Sequence, residues 1–184
     1  EKIKKFKKDK KKVVLCHGVF DLLHIGHIKH FESAKKNGEI LVVTITADEY
    51  VDKGPNRPHF NTSLRAEALS AIEIIDYVSI SYSSTAIDMI KKIMPDIYFK
   101  GIEYKSNKSD LTGMIKSEKK AIKSVGGQIK YSNEQTFSSS SLLNEYGDLF
   151  SISQKIYISK IKKKFSFQAI SKMIENFKDI KVLI

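Results

Sequence analysis

The chain has 184 residues, 41% hydrophobic and 29% charged, with 32 Lys and Arg against 21 Asp and Glu. That is enough apolar material for a core, and the length suits one domain plus an extension, which excludes a disordered body. No apolar run approaches the roughly 18 residues of a membrane helix or follows the basic N-terminus as a secretory signal would, and a single cysteine, Cys16, excludes a disulfide framework and fits a reducing, cytoplasmic setting.

In chain order, residues 1–12 come first and hold eight lysines and two acids. Without them the rest carries 24 basic against 19 acidic residues, so the net charge of +11 reads as a solvated basic arm and not as a nucleic-acid surface. Residues 13–16 are an apolar run suited to a buried strand that ends at Gly18. Residues 26–37 read as a helix closed by Asn37 and Gly38. A second strand is expected over 40–45, then a loop with Gly54, Pro55 and Pro58, then a helix capped by Asn61 and Thr62 and running to about 75. Strand 77–80, helix 85–94, strand 97–100, helix 114–125 and strand 128–131 follow, and Ser138 opens another helix. This alternation predicts an α/β fold: a Rossmann-like, doubly wound, mainly parallel five-stranded sheet with helices on both faces, plus a C-terminal helical extension. Ligands are then expected at the carboxyl ends of the strands. The expected organisation is an arm at 1–12, a catalytic domain at 13–146, and an extension or linker at 147–184. The extension has a helix near 167–177, and 182–184 begin a strand of a further domain.

The strongest chemical signal is His17-Gly18-Val19-Phe20-Asp21-Leu22-Leu23-His24-Ile25-Gly26-His27, placed where the first strand hands over to the first following helix. A helix N-terminus offers unpaired N–H groups and a positive dipole end, which suits a phosphate chain. Gly18 and Gly26 allow close approach of backbone and ligand. His24 and His27 are expected to point at that ligand and donate hydrogen bonds to developing negative charge, and not to serve merely as helix caps. His17 is expected to line the crevice, His59 to sit on a mobile loop, and Cys16 to be a small buried residue. The trio His24, His27 and His30 lacks the converging ligand set of a zinc site, so no metal is expected on protein side chains.

These residues resemble the HxGH nucleotidyltransferases of the cytidylyltransferase-like superfamily, over roughly 11–145. Within it the likeness is closest to the adenylyltransferase domain of ADP-heptose synthases. The resemblance rests on GVFDLLHIGH at 18–27, KGPNRP at 53–58, LRAEALSAIEIIDYV at 64–78, PDIYFKG at 95–101 and FSSSSLL at 137–143. It implies that the Val19–Asp21 turn, through Val19, Phe20 and Asp21, holds the nucleotide phosphates together with His24 and His27. Asp21 has an alternative task, fixing the loop or capping the helix. The resemblance also implies that Lys53 reaches the α-phosphate or the acceptor phosphate, and that Arg65 holds the acceptor phosphate or neutralises the triphosphate. Lys100 and Gly101 would border the base through their backbone, and Ser138, Ser139 and Ser140 would bind the β- and γ-phosphates.

The implied reaction moves a nucleotidyl group, AMP favoured, from ATP (or CTP) to a sugar phosphate such as heptose 1-phosphate and releases pyrophosphate. Mg²⁺ would come with the triphosphate. A fused sugar kinase beyond residue 184 and a homodimer are further expectations. Two other readings stay open: a cytidylyltransferase acting on an alcohol phosphate, and a nucleotide-binding regulatory domain without turnover. The segment Asn133–Ser140 lacks the arginine and glycine of glycerol-3-phosphate cytidylyltransferases, which argues against that branch and leaves the base open.

Overall fold

The computed structural model describes residues 2–52, 57–105, 114–132 and 152–165. The chain divides into two units, Glu1–Ser139 and Ser140–Ile184. In the first, five parallel strands are β1 (Val13–Gly18), β2 (Ile40–Thr46), β3 (Tyr77–Ser81), β4 (Ile97–Lys100) and β5 (Gln128–Tyr131), in the order β3-β2-β1-β4-β5. The helices are α1 (Lys2–Lys8), α2 (Ile25–Lys35), α3 (Thr62–Ser70), α4 (Ile87–Ile93) and α5 (Ile115–Ser124). In the second unit, α6 spans Ile152–Lys164. The expected α/β architecture is therefore the observed one.

Residues of β1 and β2 are apolar in continuous runs because both faces of the central strands are covered. On one face Val14, Cys16, Leu41, Val43 and Ile45 pack with Phe31 and Ala34 of α2 and Leu69 of α3. On the other, Val13, Leu15, Ile40, Val42 and Tyr98 pack with Ile90 of α4 and Ile122 of α5. The chain leaves β1 toward β2 and β3, then returns to the other side of β1 through β4. The reversal between β1 and β4 opens a crevice above their carboxyl ends, the usual ligand position in such sheets.

Local chemistry explains where elements end. The helix expected to reach about 75 stops at Ser70: Ile75 N bonds Ile72 O and Asp76 N bonds Leu41 O, which feeds the chain straight into β3. Branched Ile72, Ile74 and Ile75 gain more by packing on the core than by prolonging a helix that disfavours them. Helix α4 ends at Met94, whose left-handed backbone (φ 48°) turns the chain ahead of Pro95. The lysine-rich arm is helical over Lys2–Lys8, since lysine is a good helix former, and its Phe6 ring lies 5.5 Å from Tyr77. Helix α6 escapes the periodicity reading because lysines interrupt its apolar residues, so no stripe emerges. The expected helices at Ser138 and 167–177 and the strand at 182–184 lie outside the described residues.

Candidate active site

The segment after β1 turns at Val19–Asp21. Phe20 takes a left-handed backbone (φ 49°), a strained state for a non-glycine residue that costs about 1–2 kcal/mol. Its ring compensates by packing between Phe31 (5.2 Å) and His27 (5.5 Å). A Cβ on Gly18 would meet that ring at 3.1 Å. Gly18 therefore makes room for the Phe20 ring of its own chain.

Helix α2 then begins with a reciprocal capping box built from two histidines. Gly26 N donates to His24 Nδ1 at 3.1 Å, and His24 N donates to His27 Nδ1 at 3.3 Å. The two rings are 4.0 Å apart. Capping, set aside in the sequence reading, is thus a real part of their work. It has a chemical consequence. A ring nitrogen that accepts a backbone N–H carries a lone pair, so both imidazoles are neutral and hold their proton on Nε2. Burial also lowers the His24 pKa, in the same direction. The Nε2 of His24 is buried and has no hydrogen-bond partner. Leaving such a donor unpaired costs about 1–3 kcal/mol.

Asp21 is 5% exposed, and its carboxylate accepts from His59 N and Phe60 N, each at 2.9 Å. Arg57 Nε lies 2.9 Å from Oδ2, a charge pair whose N–H does not aim along the contact. Burial alone would raise the Asp21 pKa, but the two amides and the Arg57 charge outweigh it and hold the carboxyl below its ordinary range. Of its two expected tasks Asp21 performs the second, and the loop it fixes is a distant one, 57–60. His59 is tied by its amide to that carboxylate.

Arg65 does not reach the crevice as a phosphate-binding cation would. Its side chain has no exposure and bonds Val19 O, Thr46 O, Phe60 O and the Asp48 carboxylate. A guanidinium so committed has no surface to offer an anion, and the expectation that it holds the acceptor phosphate is corrected on that ground. Asp48 escaped the sequence reading, Thr62 entered it only as a helix cap, and Arg57 only as part of KGPNRP. One signal was available: the chain has only two arginines, Arg57 and Arg65, and a chain that otherwise uses lysine keeps arginine where a planar fork is needed.

Along the carboxyl edge, His17 Nδ1 lies 2.8 Å from Thr44 Oγ1 and its Nε2 3.4 Å from Thr46 Oγ1. Burial, then the charge of Lys100, lowers its pKa to about 3, so it is a neutral crevice residue. His30 is likewise held down to about 4 by burial and Lys100, with its ring 5.1 Å from Phe99. Among the described residues no group of three His, Cys, Asp or Glu could hold a metal ion. Cys16 is fully buried, and burial pushes its thiol up. Lys100 is 9% exposed; its Nζ lies 3.5 Å from Glu118 Oε2 and 4.0 Å from the Tyr104 ring centre. Its carbonyl accepts from Ser132 N, and that of Gly101 accepts from Tyr104 N. Lys53 and Ser138, Ser139 and Ser140 lie outside the described residues. The structure therefore brings together the Val19–Asp21 turn, His24 and His27, with His17, Lys100 and Gly101 at the ends of β1 and β4. No described helix is long and apolar enough to cross a membrane.

Comparison with known proteins places the chain in a family of this fold. A family model described as cytidylyltransferase-like matches residues 15–145. The bifunctional protein HldE of Aliarcobacter butzleri is 39% identical over 121 residues, covering 64% of this chain and 25% of that protein. That of Campylobacter fetus is 44% identical over 100 residues, 53% of this chain and 22% of its own. That of Sulfurimonas denitrificans is 38% identical over 128 residues, 68% and 27%. The chain thus spans about a quarter of the length of these curated relatives. A solved structure, the lipopolysaccharide core biosynthesis protein from Thermoplasma volcanium, matches with a TM-score of 0.55 at 23% identity, over 70% of this chain and 99% of that one, a likeness of fold.

Proposed function

The chain is a nucleotidyltransferase of the cytidylyltransferase-like family, and from that premise we propose that it transfers AMP from ATP to a sugar 1-phosphate of the heptose class, releasing pyrophosphate. The observation that supports the reaction is the pair of imidazoles at the mouth of α2, fixed by their own capping box with each Nδ1 turned to a backbone N–H and each Nε2 left as the donor. The acceptor class rests on the resemblance of the five segments to ADP-heptose synthases and on the HldE relatives.

The acceptor phosphate is anionic at neutral pH, so its oxygen attacks the α-phosphorus without surrendering a proton. The new P–O bond forms as the α–β bridging bond breaks, and pyrophosphate leaves with the charge. What the protein supplies is alignment and electrostatic stabilisation. His24 and His27, held as Nε2–H donors by their own helix cap, would stabilise charge on the leaving group. The α2 N-terminus and the Val19–Asp21 turn would hold the phosphates. Lys53 would bridge the α-phosphate and acceptor, Ser138–Ser140 would take the β- and γ-phosphates, and the backbone at Lys100 and Gly101 would border the base. Mg²⁺ would accompany the triphosphate, and the Asp21 carboxylate, already committed to two amides and Arg57, is not free to hold it. Mg²⁺ would supply charge neutralisation at the phosphates.

The test is pyrophosphate release with ATP or CTP against heptose 1-phosphate and glycerol 3-phosphate. ATP with the sugar phosphate is the expected pair, and His27→Ala is expected to lower its turnover about 10²-fold. Release only with CTP and glycerol 3-phosphate would replace this reading, and nucleotide binding without any release would make the domain regulatory.

A further inference from the structure

We propose that Arg65 is a positioning residue: a buried guanidinium that, with Asp21 on the other side, clamps the strained phosphate turn to the loop at 57–60 and to the end of β2. The inference rests on the proposed reaction only in its kinetic consequence.

The geometry is that of a staple. Arg65 Nη1 donates to Val19 O at 2.6 Å, in the turn itself. Nη2 donates to Thr46 O at 2.8 Å and to Asp48 Oδ1 at 2.6 Å, and Nε donates to Phe60 O at 2.9 Å. Three chain segments far apart in sequence therefore meet on one planar group, which no lysine ammonium could span. The staple is itself fixed. Asp48 Oδ2 accepts from Thr62 N at 2.9 Å while Thr62 Oγ1 accepts from Asp48 N at 3.0 Å. Asp21, one residue beyond Phe20, grips the same loop from the opposite side through the amides of His59 and Phe60. Val19 and Asp21 thus flank the left-handed Phe20 and each is tied to the 57–60 loop, Val19 through Arg65 and Asp21 directly. A strained backbone persists only where its surroundings over-determine it, and here those surroundings are named. A turn that presents N–H groups to phosphates is as accurate as whatever holds it, and a displacement near 1 Å costs on the order of 10²-fold in rate.

The experiment replaces Arg65→Lys, which keeps the charge and loses the fork, and reads two quantities. In the ligand-free protein, amide hydrogen exchange over 19–23 and 57–60 is expected to quicken tenfold or more while exchange in β1 and β2 stays unchanged. In the pyrophosphate assay, kcat is expected to fall about 10- to 100-fold with KM for the acceptor phosphate shifting by less than about threefold. Free guanidinium added to Arg65→Ala is expected to restore part of the turnover. Unchanged exchange together with a raised acceptor KM would overturn the proposal and return Arg65 to direct phosphate contact. Should Arg65→Lys fail to fold, Asp21→Asn serves instead: it replaces one of the two accepting oxygens by an NH2 that faces a backbone N–H, and exchange at His59 and Phe60 must quicken or the clamp is refuted. An inactive parent protein would defeat the proposed reaction while leaving the exchange result to judge the clamp.

Discussion

His24 carries two tasks on two atoms, and substitution can separate them. His24→Asn keeps a side-chain oxygen able to accept the Gly26 amide, since asparagine is among the best N-caps, but removes the Nε2–H. His24→Ala removes both. The buried Nε2–H has no partner in the ligand-free protein, so its loss relieves about 1–3 kcal/mol of desolvation cost in either variant. The variants then differ by the cap alone, about 1 kcal/mol, or roughly 2–4 °C in thermal midpoint for a domain of this size. His24→Asn is therefore expected to be more stable than His24→Ala by about that margin. Both are expected to lose 10²–10³-fold in turnover, about 2.7–4 kcal/mol of transition-state stabilisation, the usual loss for one oxyanion donor. Thermal unfolding and pyrophosphate release on the same preparations test both halves. Equal stability of the two variants would refute the cap, and near-parental turnover in His24→Ala would refute the donor.

Three further outcomes are expected. His17 and His30 have folded-state pKa values lowered to about 3 and about 4, below the ordinary 6.5, so the unfolded chain takes up their protons first as pH falls. Stability is then complete above pH 6.5 and declines below it, approaching a slope of about 2.7 kcal/mol per pH unit near pH 5; urea unfolding from pH 7 to 4.5 should show this, with a shallower slope in His30→Leu. Glu118 accepts from Ala86 N and Tyr98 Oη and faces Lys100, so Glu118→Ala strands a buried ammonium and should cost about 3–5 kcal/mol in urea unfolding, with Glu118→Gln milder. A Cβ on Gly127 would lie 2.3 Å from Pro95 O, whereas Gly126 has open space but a φ of +80°. Gly126→Ala is expected to cost about 1 kcal/mol by its backbone conformation, and Gly127→Ala, which must shift a carbonyl, about 2 kcal/mol or more by thermal unfolding.

Much of the fold could be read in the chain because the information is local. The unbroken apolar runs at Val13–Cys16 and Ile40–Ile45 demand a strand covered on both faces, and Pro95 and Gly126 stop the helices before them wherever the rest of the protein lies. The strand-to-helix junction at the HxGH corner was legible for the same reason: glycines and histidines within eleven residues mark the end of β1 and the start of α2 without knowledge of anything distant. The helix end at Ser70 was misjudged because the apolar residues that follow are claimed by the core and not by the helix.

Charge and composition could mark Arg65 and Asp21 as polar residues near a phosphate site, but not assign their partners. Val19, Thr46 and Phe60 offer only backbone carbonyls and amides, which every residue has, so no pattern in the letters announces them. The same holds for the division of labour within each imidazole. Whether a histidine caps, donates or does both depends on which ring nitrogen a backbone N–H happens to meet, a matter of ångströms. Periodicity and punctuation along the chain specify the elements and their order. Packing in three dimensions sealed Arg65 among backbone carbonyls and the Asp48 carboxylate, because burial and hydrogen-bond saturation arise only when distant segments converge.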